Sequence, residues 1–301
     1  MPSTCSNSNW GPMRNIDEWT ITQAVLGAQK ECPSPRLKTI VDSLVSHLHA
    51  FAREVKLTEQ EWHSGIQFLT NAGHITDDKR QEFILLSDTL GLSTLVTAQN
   101  TIKPPGFTES TVFGPFFVVD SPEFPNGADI ANGAPGEPCF VSGTVRGEAG
   151  DAIAGAGISV WQSDEDGFYD VQRPEVTQAR GRGNLRCRED GSFDFKSIVA
   201  APYPIPNDGP VGKMLVALGR HPWRPAHLHF KIAAPGYEDL ITHIFRADGP
   251  YLDSDAVFGV RSSLIVDWKR HEPGAAPDGS MSVVAYYTVH YNFVLYPKKR
   301  L

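Results

Sequence analysis

Apolar residues recur at helical spacing through the first third of the chain and in short alternating runs after it. After the Pro33–Pro35 break, Leu37, Ile40, Val41, Leu44, Val45, Leu48, Phe51, Ala52 and Val55 step by three and four, which places them along one stripe of a helix. Thr58 and Glu61 have the spacing of a capping box and open a second helix through Trp62, Ile66 and Leu69, closed by Asn71-Ala72-Gly73. Asn15 with Glu18 reads as a similar start upstream, and Phe83, Leu86, Leu90 and Val96 predict one further helix over 77–98. No strand pattern precedes residue 105, and Pro104-Pro105-Gly106 marks a boundary. Beyond it, β-type runs alternate with Gly, Pro, Asn and Asp turns: 111–119, 139–146, 157–162, 185–188, 192–197, 226–233, 240–245, 263–267 and 282–295. Asp190-Gly191 and Pro235-Gly236 sit where hairpin turns belong. The pattern predicts an α+β chain, with a helical domain over residues 1–105 and a β-sandwich domain over 106–301.

Composition narrows the partners. The formal net charge of −8 leaves no basic stripe to neutralise phosphates, so nucleic acid is not expected; Lys298-Lys299-Arg300 is the one basic cluster. Cys5, Cys32, Cys139 and Cys187 form no CxxC pair, which argues against a thiolate zinc site and for reduced cysteines in the cytoplasm. No signal-peptide run and no membrane span is read from the sequence.

The chemistry concentrates at 219–230, GRHPWRPAHLHF. On a strand, His227 and His229 point to one face while Leu228 and Phe230 point to the other, so two imidazoles stand together on a rigid support. Zinc, copper and iron sites all use such a pair. A hairpin about Pro235-Gly236 would bring His243 opposite one of them, as a third imidazole ligand or a residue behind the ligands. With three imidazoles, an open zinc site that activates water is one reading. Tyr169 follows the strand ending near Trp161, and Tyr203 is held between Pro202 and Pro204, which fixes its direction. A phenol with a pKa of about 10 ligates only beside a highly charged ion, so tyrosine ligands would point to ferric iron. Arg224 offers a fixed cation to negative charge on a bound molecule.

GFYD at 167–170, DGSFDFKSIVAAPYPIP at 190–206 and GRHPWRPAHLHFKIAAPG at 219–236 together resemble the intradiol ring-cleavage dioxygenases of the catechol and hydroxyquinol group. The resemblance covers nearly the whole chain. It implies one Fe(III) per subunit, held by Tyr169, Tyr203, His227 and His229. It also implies an aromatic diol or triol and dioxygen as substrates, with cleavage between the two hydroxylated carbons. Tyr203 would leave the metal and accept a substrate proton, and Arg224 would stabilise the substrate's negative charge. TVFGPFFV at 111–118 resembles the hydroxyquinol branch, as do LLSDTLG at 85–91 and the Ile205-Pro206 pair. By that match Leu85, Asp88, Val112, Phe113, Gly114, Pro115, Phe116, Ile205, Pro206 and Val257 line the substrate pocket, with Asp88 able to accept a bond from a third hydroxyl. His243 stands where many catechol enzymes carry Gln and is expected to act behind the ligands in the later steps. Hydroxyquinol 1,2-cleavage is the leading expectation, catechol 1,2-cleavage the alternative. The family also implies a homodimer through the helical domain, with a phospholipid between subunits.

Overall fold

The structure is a computed structural model that describes residues 14–77 and 80–298. Cys5, Lys299 and Arg300 lie outside the described residues. Contacts gather the chain into two compact units, 1–70 and 71–301. The change from helix to strand texture and the division of contacts therefore fall at different places, because the helices between 71 and 105 pack with the C-terminal unit.

The first unit contains α1 (Ile21–Ala28), α2 (Pro35–Glu54) and most of α3 (Glu59–His74). Ser34 caps α2 by accepting from the Leu37 N–H at 3.3 Å, and Pro35 supplies the preset φ of a first helical residue. Thr58 and Glu61 form the expected reciprocal box, at 2.9 and 3.2 Å. The start of α1 differs from expectation. Asn15 lies at φ +58, outside the extended backbone a cap needs, and Asp17 instead accepts from the Trp19 and Thr20 N–H groups. The apolar stripe of α2 does not vanish into a core: Leu37, Ile40, Leu44, Leu48, Phe51 and Val55 each remain about half exposed. Among the described residues no helix is long and apolar enough to cross a membrane.

The second unit opens with α4 (Glu82–Thr89) and α5 (Leu92–Asn100) in place of one predicted helix. Gly91, at φ +76, ends the first and starts the second. The run 111–119, expected as a strand, is irregular chain. Gly114 lies at φ +76 and is followed by Pro115, which breaks any ladder, so this run is apolar because it is a wall.

Thirteen strands follow among the described residues: β1 (Pro138–Arg146), β2 (Gly157–Gln162), β3 (Arg182–Arg186), β4 (Ser192–Ile198), β5 (Tyr203–Pro204), β6 (Trp223–Arg224), β7 (His227–Ala233), β8 (Leu240–Arg246), β9 (Ile265–Val266), β10 (Lys269–His271), β11 (Gly274–Ala275), β12 (Met281–Ser282) and β13 (Tyr286–Val294). The helix α6 (Pro210–Ala217) lies between β5 and β6. A four-stranded sheet, β10-β13-β1-β4, packs on a five-stranded sheet, β3-β2-β7-β8-β9. Val141, Val145, Phe193, Phe195, Val289 and Phe293 from one sheet meet Ile158, Val160, Leu228, Phe230, Ile232 and Ile244 from the other, and all are buried. The rings of Phe230 and Phe293 are 4.9 Å apart across this core. Pro235-Gly236 turns the β7–β8 hairpin as expected. Asp190-Gly191 turns the chain between strands of different sheets, since β3 pairs with β2 and β4 with β1.

Alternation leaves the second face of β2, β7 and β8 to Trp161, His227, His229, His243 and Phe245, each buried beneath the loops of the C-terminal unit. The first sheet tolerates little change. A Cβ on Gly143 would lie 1.8 Å from the Tyr291 carbonyl oxygen and 2.8 Å from the Phe193 ring. Gly143→Ala is therefore expected to cost about 3 kcal/mol, read as a lowered urea midpoint, and an unchanged midpoint would contradict this packing.

Candidate metal centre

Register fixes the imidazoles. His229 pairs directly with His243 across β7–β8, and Trp161 of β2 pairs with His229 on the other side. The Trp161 indole stacks on the His229 ring at 4.7 Å and 15°, which holds the ring plane. His227 Nδ1 lies 2.7 Å from the Pro225 carbonyl. Only an N–H can donate there, so the lone pair of His227 is on Nε2. His229 Nδ1 lies 2.8 Å from His243 Nε2, and His243 Nδ1 lies 2.7 Å from Thr111 Oγ1. The Thr111 hydroxyl can donate or accept, so this chain can run either way; donation from His229 to His243 and on to Thr111 is the direction that leaves the His229 lone pair on Nε2. The two Nε2 atoms are 3.1 Å apart. In that direction the two lone pairs face each other with the Tyr169 hydroxyl and the Arg224 guanidinium beside them, an arrangement that a cation would satisfy.

Two phenols reach the same focus. Tyr169 Oη is 2.8 Å from His229 Nε2. The turn that delivers it is built by Asp164, whose Oδ1 accepts from the Asp166 and Phe168 N–H groups, and by Gln172, which accepts from the Tyr169 N–H. Gly167 lies at φ +85, and a Cβ there would come within 3.0 Å of the Tyr203 Cβ, so only glycine lets the two tyrosine segments approach. A buried ion pair of Arg182 with Asp170 anchors the next residue, and Arg182 also donates to the Phe116 carbonyl. The Phe116 ring then stacks on Tyr169 at 4.4 Å. Tyr203 lies on β5 directly opposite Arg224 on β6, with its Oη 3.3 Å from the guanidinium and its ring 5.5 Å from His227. Arg224 also stands 3.4 Å from His227 Nε2 and is paired with buried Asp255.

The remaining residues singled out in the sequence divide. Leu85, Asp88, Pro115, Phe116, Ile205 and Pro206 line one cavity of about 490 Å3. Gly114 lies against His229, where a Cβ would stand 3.2 Å from the ring. Val112 is buried, and the Phe113 ring packs on Phe117 and Trp161 at 4.7 and 5.9 Å. Val257 accepts at its carbonyl from Thr94, in the loop that carries Asp255. Sequence reasoning missed Thr111, Arg182 and Asp255 as parts of the site. Asp170 stood inside a quoted motif, whereas nothing in the local pattern marked Asp255.

Comparison with known proteins agrees with this architecture. A family model described as dioxygenase matches residues 112–297, and one described as catechol dioxygenase N terminus matches 34–108. The chain is 56% identical over 285 residues to a 6-chlorohydroxyquinol 1,2-dioxygenase from Cupriavidus pinatubonensis, covering 95% of this chain and 99% of the relative. It is similar to a solved hydroxyquinol 1,2-dioxygenase from Pseudomonas putida, with a TM-score of 0.87, 47% identity, and coverage of 93% of this chain and 99% of that one. A solved catechol 1,2-dioxygenase from Pseudomonas arvilla gives a TM-score of 0.83 at 26% identity, covering 94% and 92%.

The electrostatics fit a cation among these groups. Burial, with the Arg224 charge, pushes His227 down to about 3. Burial, then the neighbouring imidazoles and Arg224, holds His229 and His243 well below the ordinary range. All three rings are therefore neutral and free to donate lone pairs. Burial raises the Tyr169 phenol well above its usual value, so its proton leaves only when a nearby positive charge replaces it. An unfolded imidazole takes up its proton near about pH 6.5, whereas folded His227 does so only near about 3. Between those values the unfolded chain binds more protons, so stability present above about pH 6.5 is lost as the pH falls. In metal-free protein, the His227, His229 and His243 ring signals are expected to keep neutral NMR shifts down to about pH 5 while the urea midpoint declines. A ring titrating near its ordinary value would contradict the assignment.

Proposed function

The chain belongs to the intradiol ring-cleavage dioxygenases, and on that premise we propose that it cleaves hydroxyquinol, benzene-1,2,4-triol, with dioxygen. The bond between the two adjacent hydroxylated carbons breaks, and each carbon ends as a carboxylate bearing one oxygen atom from dioxygen. The product is 3-hydroxy-cis,cis-muconate, which tautomerises to maleylacetate. The observation that carries the substrate is the gap in identity: 45–56% to five chlorohydroxyquinol and hydroxyquinol enzymes, against 39% and 26% to two catechol enzymes.

Non-haem iron is typical of this family, and for this chain the reading is one Fe(III) held by Tyr169, Tyr203, His227 and His229. The support is the convergence of two phenols with two neutral imidazoles whose lone pairs face each other. Bound there, ferric iron would supply Lewis acidity, lowering the pKa of phenol and diol alike, and loss of the diol protons would leave the ring electron-rich towards dioxygen. The protein's own part is positional. Tyr203 Oη, beside Arg224, is placed to take a proton from the incoming diol, and the guanidinium then faces the negative charge left on the substrate. Pro115, Phe116, Ile205 and Pro206 offer apolar walls to a flat ring. Asp88, on α4, is the acceptor for the third hydroxyl. His243 and Thr111 hold His229 in the tautomer that ligates. A three-imidazole zinc site is the second reading, since ligand nitrogens of His227, His229 and His243 lie within 4.8 Å of one another; it would need a His243 nitrogen, of which Nε2 faces His229 Nδ1 and Nδ1 faces Thr111.

The N-terminal helices are read as the dimerisation part, within a domain running to residue 105. Half-exposed Leu37, Ile40, Leu44, Leu48 and Phe51 along α2, and Trp62, Ile66 and Leu69 along α3, offer apolar faces that a second copy would cover, with a bound phospholipid as the secondary reading. Cytoplasmic residence is the matching proposal for a chain whose described cysteines, Cys32, Cys139 and Cys187, are all unpaired.

Iron-loaded protein is expected to show a visible phenolate-to-iron absorption and to turn over hydroxyquinol with a kcat/KM at least about tenfold above that for catechol. A preference for catechol would overturn the substrate assignment. Tyr169→Phe is expected to cut turnover by about 100-fold or more and to shift the absorption. Leu44→Asp with Leu48→Asp is expected to halve the sedimenting mass, and an unchanged mass would show that another surface pairs the subunits.

A further inference from the structure

Arg224 creates a problem that its own position does not solve. Its guanidinium is buried and stands 3.4 Å from the nitrogen that His227 would give to a metal ion. An uncompensated cation there would repel the ion and would itself be costly to bury. Asp255 meets both difficulties. Its carboxylate takes Arg224 Nε at 3.0 Å and a terminal nitrogen at 3.3 Å, in a paired fork. It also accepts the Gly259 N–H at 2.8 Å and the Val257 N–H at 3.4 Å. Burial pushes its pKa up, and the Arg224 charge with these hydrogen bonds more than offsets that, so the carboxylate stays ionised.

The loop around Asp255 is shaped for this task. Phe258 holds a left-handed backbone at φ +59, which an aromatic residue adopts only under constraint. A Cβ on Gly259 would lie 3.0 Å from the Arg224 guanidinium and 3.2 Å from the Asp255 carboxylate, so the backbone comes as close as glycine allows. Arg220 fastens the loop from outside: it donates to the Ala256 carbonyl at 3.0 Å and to the Thr89 carbonyl of α4 at 2.7 Å, and lies over the Phe258 ring at 4.9 Å. The Ala256 N–H completes the attachment at the Trp223 carbonyl of β6.

We propose that Asp255 is a positioning residue that aims Arg224 at Tyr203 Oη and cancels its charge towards the metal centre. The proposal rests on the reading of Tyr203 and His227 as ligands. Its test compares a single and a double variant of the iron-loaded enzyme, with iron affinity measured by chelator competition alongside the visible spectrum. Asp255→Asn keeps the shape and removes the charge, and is expected to weaken iron binding by about 10- to 100-fold. Arg224→Gln combined with Asp255→Asn removes the stranded cation as well. It is expected to recover iron affinity to within a few-fold of wild type while turnover stays low. Equal loss in the single and double variants would reduce Asp255 to a packing role and overturn the proposal. If Asp255→Asn does not fold, a folded double variant supports charge compensation, and a double variant that also fails to fold overturns it. Failure of the underlying reading looks different: the wild type itself would lack the phenolate-to-iron band.

Discussion

The centre depends on two buried imidazoles presenting Nε2 to one focus. The Pro225 carbonyl fixes the tautomer of His227, and His243 backed by Thr111 occupies the Nδ1 side of His229. The two Nε2 atoms meet at 3.1 Å beside a phenol at 2.8 Å, all of them on buried residues. Holding the proposed cation thus requires the hydrogen bonds on the far nitrogens of the two rings.

The surrounding charges follow from that requirement. A site meant for a cation must keep its imidazoles neutral, and burial with the Arg224 charge does so. Arg224 in turn needs Asp255, and the Tyr169 turn needs the Arg182–Asp170 pair to hold it over the sheet. Asp88 stands within the field of both Arg224 and Asp255, and burial raises its carboxyl towards the form that shares a proton. Pairs of opposite charge with low exposure are costly to assemble, and here they are spent on direction rather than on stability.

Much of this was legible in the chain. The HxH alternation on β7, the hairpin that sets His243 opposite His229, the Thr58–Glu61 cap and the change of texture after Pro105 are local patterns, and local patterns fix local geometry. The misses have physical causes. The run 111–119 is as apolar as a strand, yet Gly114 lies against His229 and Phe116 against Tyr169, and composition cannot separate a wall from a ladder. The helix expected over 77–98 breaks at Gly91, whose left-handed backbone is invisible to periodicity. Asp255 could not be found at all, since its importance comes from a partner 31 residues away and from a glycine that lets the chain close on it.

The central claim is that one ion sits among Tyr169 Oη, Tyr203 Oη and the Nε2 atoms of His227 and His229. An anomalous difference map at the iron edge, from crystals of iron-loaded protein, tests it most directly. A single peak enclosed by those four atoms, with His243 still bonded to His229 Nδ1, is the predicted result. A peak bound by His243, or bound by neither tyrosine, would contradict the account.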